Sequence, residues 1–225
     1  MNLISLETAG ETCSVALRWQ GELLEQFELA PRRQTERVLP MVASLLAEAG
    51  VALSQLDGVV FGRGPGAFTG VRIAVSVAQA LGFAMNRPVL GVSTLASAAL
   101  AAMDAGADGP VLTAFDARMG ELYLAVYQAV DGPQLLQPLL ADALVAPAQL
   151  PALPAGLRCA TGSGQALEPA LSEALGQRLH WIGDGHPRAG TLLRLALSDF
   201  AEAAVPAREA RPVYLRDQIV QGGQQ

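Results

Sequence analysis

At 225 residues, 51% apolar and only 16% charged, the chain can bury a sizeable core and lacks the composition of a disordered protein. Its net charge is −6 and all fifteen basic residues are arginines, scattered apart from Arg32–Arg33 and the nearby Arg208 and Arg211. No basic stripe marks a stand-alone nucleic-acid binder, and the lack of lysine excludes a P-loop phosphate lysine and Schiff-base chemistry.

In chain order, residues 3–6, 13–19 and 22–29 read as three antiparallel strands joined by hairpins. A helix follows to Ala49, with Val38, Val42, Leu45, Leu46 and Ala49 on one stripe, Pro40 placed in its first turn and Gly50 as its stop. Residues 58–95 then form a βαβ unit. A short apolar strand at 59–61 breaks into a turn holding Gly62, Gly64, Pro65, Gly66 and Gly70. A long apolar helix runs over 71–85, Pro88 stops it, and 89–92 is the next strand. An alanine-rich helix is predicted over 96–105, and 107–110 is a linker.

The second half repeats this outline. Strands are predicted at 111–115 and 121–127 around an Asp116–Gly120 turn. Residues 133–156, rich in proline and leucine, read as a loop with short helical pieces. A strand at 157–160 meets a second glycine turn, Thr161-Gly-Ser-Gly164, and a helix to Leu175; 180–182 is a short strand and 189–204 an amphipathic helix. The tail carries Arg211-Pro-Val-Tyr-Leu-Arg216 and ends in a soft Gly-Gly-Gln-Gln. Two such halves imply an α/β, duplicated actin-like ATPase (ribonuclease H-like) architecture. The expected subdomains are residues 1–106 and 107–225, with the last helix able to pack back on the first.

Cys13 and Cys159 match no metal spacing and read as buried thiols. The N-terminus lacks the pattern of a signal peptide. The longest apolar run, interrupted by Arg72 and Gln79, is too short for a membrane span, so a cytoplasmic protein is expected. The glycine turn does not have dinucleotide-binding spacing. Its glycines serve either a sharp, closely packed turn or anion capture at the helix N-terminus. Glu7 and Thr8 at the first hairpin tip, with Asp116 and Arg118 at the second, could hold magnesium or orient water, or could be a salt-linked turn. His180 and His186 flank Gly-Asp-Gly and read as surface residues. Ser163-Gly-Gln165 has no histidine in register for a triad.

The long helix is the most informative feature. Arg72, Ser76, Gln79 and Phe83 share one stripe, while Ala74, Ala78 and Gly82 form a small-residue row that permits close helix approach. So apolar a helix must be covered almost all round, either internally or by another chain. Arg72, Val75, Ser76, Ala78, Gln79, Gly82 and Phe83 are the candidate partner-binding residues, with no catalytic, cofactor or metal residue expected.

Four blocks carry a family resemblance: Gly62-Arg-Gly-Pro-Gly-Ala-Phe-Thr-Gly-Val-Arg-Ile73, Pro88-Val-Leu-Gly-Val-Ser-Thr-Leu95, Phe115-Asp-Ala-Arg-Met-Gly-Glu-Leu-Tyr123 and Arg211-Pro-Val-Tyr-Leu-Arg216. In that order, and spread over nearly the whole chain, they resemble the bacterial TsaB (YeaZ-like) family of tRNA threonylcarbamoyladenosine biosynthesis subunits. Glu7 stands where the family usually has aspartate, and Gln34 where relatives often have histidine. In the catalytic paralogue TsaD, two histidines after the long helix bind the metal; here Thr94 and Ala98 take those positions, which suits no metal. The resemblance thus implies a pseudo-enzyme that binds TsaD and, with the ATPase TsaE, serves the transfer of threonylcarbamoyl to N6 of adenosine 37 in tRNAs reading ANN codons. It also implies tRNA contact only through the complex, the long helix as the TsaD contact, and a homodimer when alone. The alternative from another class is an enzyme in its own right, an actin-like ATP-dependent small-molecule kinase or a glycopeptidase-like hydrolase.

Overall fold

The computed structural model describes residues 1–216. The soft C-terminal end expected from the sequence lies outside them. The first half comprises β1 (Leu3–Glu7), β2 (Thr12–Trp19), β3 (Glu22–Leu29), α1 (Gln34–Ala49), β4 (Gly58–Gly62), α2 (Phe68–Met85), β5 (Val89–Val92) and α3 (Thr94–Asp104). The second comprises β6 (Val111–Arg118), β7 (Glu121–Ala129), β8 (Leu136–Val145), β9 (Cys159–Thr161), α4 (Glu168–Leu175), β10 (His180–Trp181), α5 (Ala189–Ala196) and α6 (Phe200–Ala203).

Each half builds one five-stranded sheet, in the orders β3-β2-β1-β4-β5 and β8-β7-β6-β9-β10. Counted within its own half, each order is third-second-first-fourth-fifth. The first three strands are antiparallel, and the last two run parallel to the first. This is the doubled α/β architecture that the opening hairpins and glycine turns predict, and the repeat is complete at the level of topology.

The layers follow from which helix faces are apolar. Val38, Met41, Val42 and Leu45 of α1 join Val71, Ala74, Val75 and Ala78 of α2 over one face of the first sheet. Leu171 of α4 covers the outer face of the second. Between the sheets lie α3 and α5, and they are exchanged. α3 packs on β6, β7 and β9, while α5 packs on β1, β2 and β4. Leu192, Leu193 and Ala196 therefore share a core with Leu3, Ala16 and Val60, and Leu95, Ala98 and Ala99 share one with Phe115, Ala125 and Tyr127. A helix from each half thus packs on the sheet of the other.

Several expectations need correction. Residues 136–145 form an edge strand rather than a loop. An edge position tolerates Pro138 and the register shifts opposite Leu124 and Val126, and these are what hide the alternation in the sequence. The helix predicted over 189–204 breaks at 197–199, which redirects Phe200 onto Gly58, where it is 3% exposed. α2 begins at Phe68, before the predicted Val71, and Pro40 lies inside α1 on its exposed side rather than in the first turn. Cys13 and Cys159 are free and buried, as read.

Candidate functional site

The two hairpin tips face each other across a cleft of about 580 Å³, walled by Ala9–Glu11, Gly66–Phe68, Phe115–Met119, Ser163 and Gly185–Pro187. The tips differ sharply. At the first, Glu7 is fully buried. Its Oε1 accepts the Ala9 amide at 2.6 Å and its Oε2 accepts the Thr94 hydroxyl at 3.1 Å. Burial dominates these bonds and raises its carboxyl to about 7 from an ordinary 4.5.

The glycine turn explains how so large an anion fits there. A Cβ on Gly62 would lie 2.1 Å from Glu7 Oε2, so only glycine lets the strand end pass over the carboxylate. The Thr8 hydroxyl donates to Gly70 O at 2.7 Å, the Ala67 amide to Ala9 O at 2.7 Å, and the Gln34 amide to Gly10 O at 2.8 Å. The turn and the N-terminus of α2 thus close on the first hairpin's own loop.

The second tip is open. Asp116 pairs with the exposed Arg118 guanidinium at 3.1 Å and accepts the Arg118 amide at 2.7 Å. Arg118, Met119 and Gly120 all take left-handed backbone angles. A salt-linked turn is what the two residues form. Ser163 accepts the Asp116 amide at 3.1 Å. His180 is exposed, and His186 is half-buried on the cleft wall with its ring 6.1 Å from Phe27.

The residues at the paralogue's metal positions do not fit a metal. Ala98 is sealed in the apolar cluster of α3 and offers no donor atom, and the Thr94 hydroxyl is spent on Glu7. Among the described residues no three histidine, cysteine or acidic side chains converge.

The faces of α2 separate the candidate partner residues. Val75, Ala78 and Gly82 are buried in the chain's own core, which corrects their expected place on an outer face. A Cβ on Gly82 would come within 2.6 Å of Val89 and 3.0 Å of Ala207, so the small-residue row admits the sheet and the C-terminal segment. Gln79 is half-buried and donates to Ala210 O at 3.1 Å. Arg72, Ser76 and Phe83 face outward, and Phe83 is 84% exposed. Arg72 stacks 3.6 Å over the Phe68 ring and donates to the Tyr214 hydroxyl at 2.7 Å. The role of Tyr214 is not visible in the sequence; its only signal was the recurrence of arginine and aromatic residues in the tail motif.

The family described as "TsaD: tRNA N6-adenosine threonylcarbamoyltransferase" matches residues 27–217. The tRNA threonylcarbamoyladenosine biosynthesis protein TsaB of Escherichia coli is 38% identical, the match covering 97% of this chain and 96% of that protein. The chain belongs to the TsaB family. The TsaB of Haemophilus influenzae is 35% identical over 97% of this chain and 95% of its own length. YeaZ from Pseudomonas aeruginosa superposes with a TM-score of 0.86 at 42% identity, covering 95% of this chain and 99% of that one. In this chain the actin-like, ribonuclease H-like fold carries a first hairpin whose carboxylate is enclosed.

Proposed function

We propose that the chain acts in the biosynthesis of threonylcarbamoyladenosine in tRNA as a non-catalytic subunit, binding and activating a TsaD partner through the outer face of α2. Membership of the TsaB family supports the pathway. The single observation that carries the partner role is Phe83, a large aromatic left 84% exposed on a helix whose remaining aromatic, Phe68, is stacked. Ser76 and the flanks of Arg72 and Gln79 extend that surface along the helix, and it also suits a homodimer when TsaD is absent. The non-catalytic role is supported by the enclosure of Glu7, the pairing of Asp116 with Arg118 and the unsuitable groups at Thr94 and Ala98. TsaE, tRNA contact through the complex, and the cytoplasm as the site of action follow from the family resemblance.

The test is co-purification with the organism's TsaD. Phe83→Glu is expected to leave the melting temperature unchanged and to weaken the complex by about 30-fold, the loss of roughly 2 kcal/mol typical of an aromatic hot spot. Unaltered binding by this variant would remove α2 as the interface. Gly82→Leu serves as the contrast. Its side chain enters the core, so it is expected to destabilise the free chain by about 1–3 kcal/mol.

A further inference from the structure

The segment 211–216 crosses the mouth of the cleft and is tied to both lobes. To the first lobe it is fixed at several points. The Val213 amide donates to Arg63 O at 2.8 Å, the Tyr214 hydroxyl accepts Arg72 at 2.7 Å, and the Tyr214 ring lies 5.5 Å from Phe68. To the second lobe, the hydrogen bonds among the described residues all come from one side chain. Arg216 donates to Glu121 and, at 3.2 Å, to Ala117 O, with Met119 Sδ also at 3.2 Å. All of these second-lobe partners belong to the open hairpin tip.

At the opposite side of the cleft the lobes are joined by the exchanged helices α3 and α5, which share packed apolar cores with both sheets. One side is therefore a broad packed junction, and on the other, among the described residues, a single segment of chain reaches the second hairpin tip through a partly exposed ion pair. Side-chain exposures of 19% for Arg216 and 32% for Glu121 leave that pair within reach of water and salt.

We propose that residues 211–216 are a clasp that opens at Arg216: the segment stays on α2 while the Arg216–Glu121 contact breaks, letting the second hairpin tip swing away from the first about the α3–α5 junction. The cavity behind the clasp is lined in part by Tyr214, Leu215 and Arg216 themselves, so opening alters its size and its walls together. The first-lobe anchors, Phe68 and Arg72, lie on α2, so cleft opening and the outer face of that helix share one stretch of chain.

The experiment measures the distance between spin labels at Glu11→Cys and Arg118→Cys, on opposite walls of the cleft, in the full chain. The parent should show one narrow population. Arg216→Glu and Glu121→Arg, each alone, should add a longer population absent from the parent, with melting temperatures unchanged. The charge-swapped double variant should return to the parent distribution. An unchanged distribution in both single variants overturns the clasp, as does failure of the swap to restore it. Broadening accompanied by a matching fall in melting temperature would also overturn it, because Arg216 would then be a structural brace.

Discussion

The two halves share one topology and differ in how each ends its first hairpin. In the first lobe the chain folds a carboxylate inward, and Gly62, the Ala9 amide and Thr94 enclose it. In the second lobe the acidic residue of the hairpin, Asp116, is partly exposed and pairs with its neighbour Arg118. The two halves share the path of the backbone, while the setting of each tip's acidic residue is decided by what packs on it. The first tip is pressed upon by the glycine turn, α2 and α3. The second meets Ser163 and the tail.

The largest effects should come from breaking the cores that make the halves comparable. Leu6→Ala in the first sheet and Leu124→Ala in the second each remove a fully buried side chain, at an expected cost of about 2–5 kcal/mol. Because α3 and α5 cross between sheets, both variants should shift a single calorimetric transition. Two separate transitions would show that the halves unfold independently.

A second test sharpens the contrast at the tips. Glu7 titrates at about 7 in the folded chain against an ordinary 4.5. Between those values the folded state binds the extra proton, so this contribution is fully present below about 4.5 and is lost as pH rises through about 7. The gap of roughly 2.5 units is worth up to about 3 kcal/mol at about 1.4 kcal/mol per unit. Denaturant titrations at pH 5 and pH 8 should show that decline in the parent and a flatter profile in Glu7→Gln; parallel profiles would contradict the burial account. The smallest effect is expected at the other tip. Arg118→Ala removes an exposed ion pair and should change stability by less than about 1 kcal/mol in a thermal melt.

The βαβ unit, both hairpins and the existence of two similar halves were legible because alternation, glycine turns and proline stops report local geometry directly. β8 was not, since an edge strand interrupted by Pro138 and register shifts keeps no clean period. The small-residue row of α2 was legible as a close-approach surface. Its direction was not, because glycine and alanine admit a sheet, a tail or another chain equally well. The enclosure of Glu7 left a faint trace in Gly62, a glycine at a strand end where a backbone or side chain must pass closely. That Arg72 would be held by Tyr214 lay beyond reach, as the two are 142 residues apart.

The exchange of α3 and α5 also sets a timetable for synthesis. Ser5 of the first strand bonds to the Ala189 carbonyl, 184 residues later, and Leu3 waits for Leu192 before its far side is covered. At roughly 5–20 residues per second, a ribosome leaves that face of the first sheet bare for on the order of 10–40 seconds. Through that interval the nascent amino-terminal half exposes an apolar strand surface with no partner yet made. Newly made chains should therefore depend on holding chaperones more than their finished stability suggests, and truncation before residue 189 should yield aggregates rather than a half-sized folded product.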